Sequence, residues 1–464
     1  MGHSHSKVDY SLPLEQLPDP LPIQPLSRPF DTSLSPPGSK SITNRAYMLA
    51  ALADGESRII RPLRADDTDR LLDALCTLGA TARWENEDVC ITGTNGRFPR
   101  GGEVNLGDGG TPTRFMIAAA CLASEPVTVD GSARMRVRPI AEGVDMLREL
   151  GADIQYLENE GRLPVRVGPS ATFNGGDLVI GQTLSSQFVS ALMLIGPWLA
   201  QGLSMTLPEQ PTSPGYIQLT HDVVQQWSER PRKVRSTFNS SFAERPTVGN
   251  RIQLPHNPRS AAPRFWVDSD ASSAIYWVAA TLLTPRSNYH VSGIGKALWQ
   301  PDLGAIEELM KRAEYPDFNR DELMLGGPKQ FQGFEVDASL WPDGAVAVAA
   351  CAALAQTPSH ITGLHTLRVK ECDRVAALET ELGKVGCRVE TTHDSIAIWP
   401  RTQTPLPSSR GSSEQVVIET YNDHRMAMAF AMLGLRIPGI AIRNPEVVRK
   451  SYPGFWSDFA TLYR

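Results

Sequence analysis

The sequence predicts a mixed α/β (α+β) chain folded as two similar globular domains, and three observations carry that expectation. Six segments share one plan, a small polar cluster followed by an apolar helix-like run and a turn, with the clusters recurring every 70 to 85 residues. Between these runs lies a second theme, an amphipathic helix closing on glycine, then strand, charged turn and strand. The length of 464 residues allows two or three domains at about 150 residues each. Six units in two groups of three give two domains of about 200 residues.

The six runs are, in order, Ser39-Lys40-Ser41 into Ala46–Ala53, Gly110-Thr111 into Phe115–Leu122, and Ser185-Ser186-Gln187 into Phe188–Leu199. They continue with Asp270-Ala271-Ser272-Ser273 into Ala274–Leu283, Pro342-Asp343-Gly344 into Ala345–Leu354, and Asn422-Asp423-His424-Arg425 into Met426–Leu435. Each is closed by a Gly or Pro turn such as Asp54-Gly55 or Pro438-Gly439. The second theme is clearest in Leu71–Gly79, Val144–Gly151 and Ala376–Gly386. There glycine follows the last periodic residue, the expected C-terminal stop, and alternating strands come next. Each unit therefore reads helix, strand, helix, strand, strand. The sixth is cut short at the C-terminus, and the strand-like pieces Leu21–Leu26 and Asp31–Leu34 are expected to complete it. Residues 1–20 read as an N-terminal extension outside the fold, 39–266 as the first domain, and 21–38 with 267–464 as the second. Ser228–Ala262, rich in Arg, Pro, Ser and Asn, reads as a surface insertion. Tyr315–Leu325 lacks a clean strand signal.

Composition narrows the function. With 45 Lys+Arg against 51 Asp+Glu the formal charge is −6, so no general nucleic-acid coat is expected. An anionic ligand must be met by a local cluster of cations. The longest apolar stretch, Phe188–Ala200, is too short to span a membrane. Six scattered cysteines without CxxC spacing read as reduced thiols of a cytoplasmic protein, and no His/Cys/carboxylate cluster has metal-ligand spacing, so no metal or cofactor is expected.

Small polar residues cap helices, and capping alone explains any one of the clusters. Capping does not explain Lys40, Arg45, Arg114, His424 and Arg425, because cations oppose the dipole at a helix N-terminus. They make sense if an anion sits there as well. Arg134, Arg136 and Arg138 alternate, which places all three on one side if the segment is extended. Arg368, Lys370, Glu371, Asp373 and Arg374 crowd a single segment, as a surface ion-pair cluster or as an acid/base group in a cationic pocket. Nucleophile elbows and P-loops are absent. Anionic ligands without metal, cofactor or nucleophile point to group transfer by acid/base and electrostatic chemistry.

Several stretches together resemble one family. They are Pro37-Gly38-Ser39-Lys40-Ser41-Ile42-Thr43-Asn44-Arg45, Gly110-Thr111-x-x-Arg114, Arg134-Met135-x-x-Arg138-Pro139-Ile140 and Ser185-Ser186-Gln187-Phe188. Asp270-Ala271-Ser272-Ser273, Arg368-Val369-Lys370-Glu371-Cys372-Asp373-Arg374 and Tyr421-Asn422-Asp423-His424-Arg425-Met426-Ala427-Met428 complete the set. From about Leu21 onward the chain resembles EPSP synthase, 3-phosphoshikimate 1-carboxyvinyltransferase, the shikimate-pathway enzyme inhibited by glyphosate. The resemblance implies the enolpyruvyl transferase fold, two domains of three βαβαββ units with chain crossings near Gly38 and Val267. It implies two small-molecule substrates, no nucleic acid, membrane or cofactor, and transfer of the enolpyruvyl group of phosphoenolpyruvate to the 5-hydroxyl of shikimate 3-phosphate.

By the same resemblance, shikimate 3-phosphate is expected on Lys40, Ser41, Arg45, Ser185, Ser186, Gln187, Ser213, Tyr216, Asp343 and Lys370. Phosphoenolpyruvate is expected on Lys40, Gly110, Arg134, Gln187, Arg374, Arg425 and Lys450. The catalytic set is Lys40, Asp343 and Glu371, with Asp343 for the hydroxyl proton and Glu371 with Lys40 for the carbon and leaving-group protons. Asp108, where the family usually has Asn, would repel phosphate unless protonated or turned away, and is left out. The sister transferase acting on UDP-N-acetylglucosamine carries a reactive loop Cys, whereas Cys121 here lies inside an apolar run. A non-catalytic protein that kept the fold is the other rival, and retention of Lys40, Asp343, Glu371 and Arg425 argues against it. Phe115 and the 228–262 segment look more like fungal forms, in which the enzyme is one domain of a pentafunctional AROM polypeptide, and whether this chain comes from such a fusion stays open.

Overall fold

A computed structural model of the chain describes residues 8–228, 250–294, 298–319, 322–401 and 415–464. The chain forms two compact units. A central unit contains Pro37–Asp270 with the short return Gly295–Gln300, and a terminal unit contains Met1–Pro36, Ala271–Ile294 and Pro301–Arg464.

Each polar-plus-apolar run becomes a helix inside its unit. In the central unit these are α1 (Lys40–Leu52), α2 (Gly110–Ala120) and α3 (Gln187–Ile195). In the terminal unit they are α4 (Ala271–Leu283), α5 (Ala345–Ala352) and α6 (His424–Gly434). All of α5 and α6 is buried, as are Ile42–Leu52 of α1 and Phe188–Ile195 of α3. A helix apolar on every side has no solvent face to offer. Sheets and amphipathic helices therefore wrap these runs, among them Asp66–Leu78, Ala141–Glu149 and Arg374–Lys384.

The six sheets share one design, a parallel pair extended by antiparallel strands. Around the second of the six runs, Gly102–Asn105 runs parallel to Val127–Asp130, with α2 between them in sequence. Parallel strands need such a crossover, which places the helix on the sheet face. Val165–Gly168 and Asp153–Tyr156 then add antiparallel. Glu335–Asp337, Ser359–Thr362, Ile396–Trp399 and Arg388–Thr391 repeat the order around α5.

The expectation for the N-terminal strands is half correct. Leu21–Pro22 pairs antiparallel with Ile440–Ile442 and completes the sixth sheet. Asp31–Ser33 does not join it but runs parallel to Asn288–Ser292 in the fourth. Its counterpart Phe265–Trp266, which directly precedes α4, pairs with Glu56–Ile60 in the first sheet. The strands before α1 and α4 have thus exchanged places between the two units. Period-two alternation cannot reveal this, because it says which face a strand buries and not which sheet it joins.

Three other expectations change. Residues 8–20 are part of the fold, with Tyr10 only 2% exposed. In the 228–262 segment, residues 229–249 lie outside the described residues. Its remainder is built in, because Arg251–Leu254 pairs antiparallel with Leu203–Thr206 and Ala262 N–H donates to Ser57 Oγ. Tyr315–Leu325 lies in two paired strands, Glu314–Asn319 and Glu322–Gly326. A register shift between Glu314 and Asp317 breaks the alternation. There Tyr315 takes φ +36° and lies over Gly326, where a Cβ would come within 2.3 Å of the phenol ring. Among the described residues no helix is long and apolar enough to cross a membrane.

Candidate active site

In the terminal unit four cations and four carboxylates interleave. Arg374 opens α-helix Arg374–Lys384, and its guanidinium reaches Asp423 Oδ2 at 2.6 Å, Asp343 Oδ1 at 2.6 Å and Glu371 Oε2 at 2.9 Å. Lys450 Nζ lies 2.9 Å from Glu371 Oε1, and Lys370 Nζ lies 3.3 Å from Asp343 Oδ1. Arg425 bridges Asp343 Oδ2 and Asp302 Oδ2, each at 3.5 Å. All six residues expected on this unit therefore meet in one place.

Local structure explains why they converge. Asp343 lies in the turn Pro342–Gly344 that leads into α5, and Arg425 in the first turn of α6. Lys450 ends the 3-10 turn Pro445–Lys450. Burial pushes Asp343 up, but Lys370, Arg425 and Arg374 outweigh it and hold its carboxyl well below the ordinary value. Burial pulls the Arg374 guanidinium down, yet Asp423, Glu371 and Asp343 overcome that and keep it charged.

Two partners in this network fell outside the expected site. Asp423 caps α6 by accepting from Arg425 N–H while gripping Arg374. Asp302, 1% exposed, accepts from Gly344 N–H and Ser272 Oγ as well as facing Arg425. In the sequence Asp423 reads as a helix cap, and Asp302 belongs to none of the polar clusters. A sequence does not say which buried carboxylate faces which guanidinium.

In the central unit the helix N-termini converge. Arg45 donates to Ser41 O, Thr220 Oγ1, Ser190 Oγ and Tyr216 O, tying α1 to α3 and to helix Pro214–Ser228. Burial lowers it to about 10, which still leaves it charged at neutral pH. Gln187 Nε2 donates to Thr111 Oγ1 and joins α3 to α2. Lys40, first residue of α1, pairs with buried Asp67 at 3.0 Å. Ser185 Oγ accepts from Gln187 N–H, and Ser213, at φ +48°, turns the chain so that its carbonyl accepts from Tyr216 N–H. Ser39, Gly109 and Ser186 precede the three helices without making a side-chain cap hydrogen bond. At α1 and α2 the first-turn N–H groups lack the side-chain cap that polar clusters usually supply, whereas at α3 Ser185 Oγ takes the Gln187 N–H.

A sequence model of the family described as EPSP synthase (3-phosphoshikimate 1-carboxyvinyltransferase) matches residues 26–459. The chain belongs to the EPSP synthase family. It is similar to the 3-phosphoshikimate 1-carboxyvinyltransferase of Methanoculleus marisnigri, 35% identical over 430 residues covering 92% of this chain and 96% of that protein. The protein of that name from Shewanella amazonensis is 33% identical, covering 96% and 99%. The solved EPSP synthase of Acinetobacter baumannii superposes with a TM-score of 0.74 at 25% identity, covering 95% of this chain and 98% of that one.

Against this family's motifs the structure re-sorts the three alternating arginines. Ala133–Arg136 is a helical turn and not a strand. The turn ends at Arg136 with Val137 as its C-cap, so Arg138 lies beyond it and the three arginines share no face. Arg136 pairs with Asp130 and Glu158, Arg134 is exposed, and Arg138 is buried. The Arg138 guanidinium lies against Gly110, where an added Cβ would meet Nη1 at 2.7 Å and Nη2 at 2.8 Å. Among the described residues its Nε has no hydrogen-bond partner. A buried guanidinium at the uncapped N-terminus of α2 is suited to an anion.

Gly110→Ala is therefore expected to displace Arg138 and not to strain the backbone. The KM for phosphoenolpyruvate should rise about 10-fold or more, the scale of one charge-assisted contact, with the melting temperature and shikimate 3-phosphate binding little changed. Steady-state kinetics with each substrate varied checks this. Equal losses for both substrates would mean that the helix itself had moved.

Asp108 is exposed and turned to Ser132, whose Oγ donates to it. Cys121 is buried, donates to Ile117 O, and burial pushes its thiol far up, unlike a reactive thiolate. Among the described residues no group of three His, Cys, Asp or Glu side chains is placed to hold a metal ion.

Proposed function

We propose that the chain transfers the enolpyruvyl group of phosphoenolpyruvate to the 5-hydroxyl of shikimate 3-phosphate and releases phosphate. The observation that carries this reading is the interleaving of two acid/base-capable carboxylates, Asp343 and Glu371, with Lys370, Arg374, Arg425 and Lys450. Such a network can receive anionic groups and move protons beside them. In the addition step the 5-oxygen bonds to C2 of phosphoenolpyruvate and its proton passes to Asp343. C3 gains a proton from Glu371, with Lys40 assisting, which gives a tetrahedral phospho-ketal. In the elimination step C3 returns its proton to Glu371, the bond from C2 to the phosphate oxygen breaks, and Lys40 gives the leaving phosphate a proton that the one held on Asp343 replaces through solvent.

In the ligand-free protein Asp343 is a weak base because three cations face it. Arriving phosphate and carboxylate groups compete for Lys370, Arg374 and Arg425. The pull on Asp343 then weakens, and its basicity rises when the hydroxyl is in place. Shikimate 3-phosphate is assigned to Lys40, Ser41, Arg45, Ser185, Ser186, Gln187, Ser213, Tyr216, Asp343 and Lys370. Phosphoenolpyruvate is assigned to Lys40, Gly110, Arg134, Gln187, Arg374, Arg425 and Lys450. Arg138, whose guanidinium lies against Gly110 at the N-terminus of α2, is added to that set. The six cysteines are all free thiols, in keeping with work in a reducing cytoplasm.

A phosphate-release assay tests the reading. Release should require both substrates together. Arg138→Ala should raise the KM for phosphoenolpyruvate by about 10²-fold, the loss of a bidentate charged contact. No release from the two substrates overturns the function, and a KM for phosphoenolpyruvate unchanged in Arg138→Ala overturns the addition of Arg138.

A further inference from the structure

Residues 10–19 precede the 26–459 stretch that the family model matches, yet they are fastened to the segment that carries Lys450. Tyr10 is 2% exposed and lies among the rings of Trp456, Phe459 and Tyr463, with centroids 6.3, 5.1 and 5.4 Å away. Its hydroxyl donates to Pro22 O at 3.0 Å and accepts from Gln24 N–H at 2.8 Å, which fixes the loop between. From that anchor Asp19 Oδ1 accepts from Asn444 N–H at 2.9 Å, and Glu15 Oε1 meets Arg449 Nη2 at 2.7 Å.

These two contacts fall at the two ends of the turn Pro445–Lys450. Asn444 is its N-cap, held at φ +49° and ψ +61°, a left-handed conformation that Asn tolerates better than most residues. Asn444 Nδ2 donates to Asn422 Oδ1 at 2.8 Å, immediately before Asp423. Trp456, against which Tyr10 packs, donates Nε1–H to Pro445 O at 2.9 Å. At the other end Arg449 precedes Lys450, whose Nζ lies 2.9 Å from Glu371. The N-terminal segment thus holds both ends of the turn that delivers Lys450, and reaches the turn ahead of Asp423 and Arg425 through Asn444.

We propose that residues 10–19 are a brace for the phosphoenolpyruvate subsite, with Asp19 and Glu15 as positioning residues for Lys450 and the Asn422–Arg425 turn. The proposal rests on the reading of Lys450 and Arg425 as ligands of phosphoenolpyruvate. An exposed ion pair such as Glu15–Arg449 contributes little on its own. The effect arises from the aim of Lys450, since small displacements of a positioning group cost far more than the contact that caused them.

The test uses the full chain carrying Asp19→Ala with Glu15→Ala, its Asp19→Asn counterpart, and both alanine changes in a Lys450→Met background. The double alanine variant should raise the KM for phosphoenolpyruvate about 5- to 20-fold, with kcat and the KM for shikimate 3-phosphate within about twofold. Asp19→Asn keeps an acceptor oxygen for Asn444 N–H and should stay within about twofold of the parent. In the Lys450→Met background the two alanine changes should add nothing. A phosphoenolpyruvate KM unchanged by the double variant, or an equal increment with Met at position 450, overturns the brace. Lys450→Met itself leaving that KM unchanged overturns instead the reading of Lys450 as a ligand.

Discussion

Glu371→Gln is expected to lower turnover by about 10²- to 10⁴-fold, the usual worth of a general acid/base group, while binding of both substrates is largely kept. Gln retains the size and one acceptor oxygen, for either Arg374 or Lys450, each 2.9 Å from its own oxygen of the native carboxylate. It cannot give a proton to C3 or take one back. The loss should therefore fall on kcat and on kcat/KM equally, the pattern of an interaction made only in the transition state. Phosphate release at saturating concentrations of both substrates, with binding measured separately by calorimetry, checks it. A near-normal kcat removes Glu371 from the proton transfers. An intact kcat with a raised KM for phosphoenolpyruvate would make Glu371 only the partner that orients Lys450.

Much of this site is legible in the sequence because its residues stand where buried helices begin. Lys40, Gly110, Gln187 and Arg425 fall at or within one residue of the first residue of α1, α2, α3 and α6. An apolar run announces the helix, and a cation ahead of it is a local anomaly that needs no knowledge of the fold. Which sheet each of these strands joins is not legible, because Asp31–Ser33 and Phe265–Trp266 are three and two residues long and choose their sheets through packing far along the chain. Arg138 was placed on the wrong geometry for a related reason. Alternating Arg134, Arg136 and Arg138 fit a strand, but Ser132 Oγ accepts from Met135 N–H and starts a helical turn. The turn rotates Arg136 out to Asp130 and buries Arg138. Asp302 and Asp423 show the limit most clearly, since pairing across more than a hundred residues, as between Arg425 and Asp302, leaves no trace in spacing.

Arg374→Met is expected to destabilise the terminal unit by about 3–5 kcal/mol at neutral pH, the cost of removing one partner from a buried charge network. For units of this size that corresponds to a fall in melting temperature on the order of 10 °C. Met fills much of the volume but leaves Asp343, Glu371 and Asp423 without the guanidinium they share. The deficit should depend on pH, with a definite sign. In the parent, burial raises Asp343, but Lys370, Arg425 and Arg374 together hold it well below its ordinary value. A carboxyl depressed on folding contributes stability above its unfolded value of about 3.9 and loses it as pH falls through the folded value. Without Arg374 the depression is smaller, so the variant forfeits part of that contribution throughout the range above about pH 4. Below that range protonation discharges the carboxylates in both proteins, and the gap should narrow. Thermal unfolding of parent and variant from pH 7.5 down to about pH 2.5 reads this directly. The difference in melting temperature should be largest at the neutral end and should at least halve at the acidic end. A difference constant with pH would assign the loss to packing of the Arg374 side chain and not to the charges it joins.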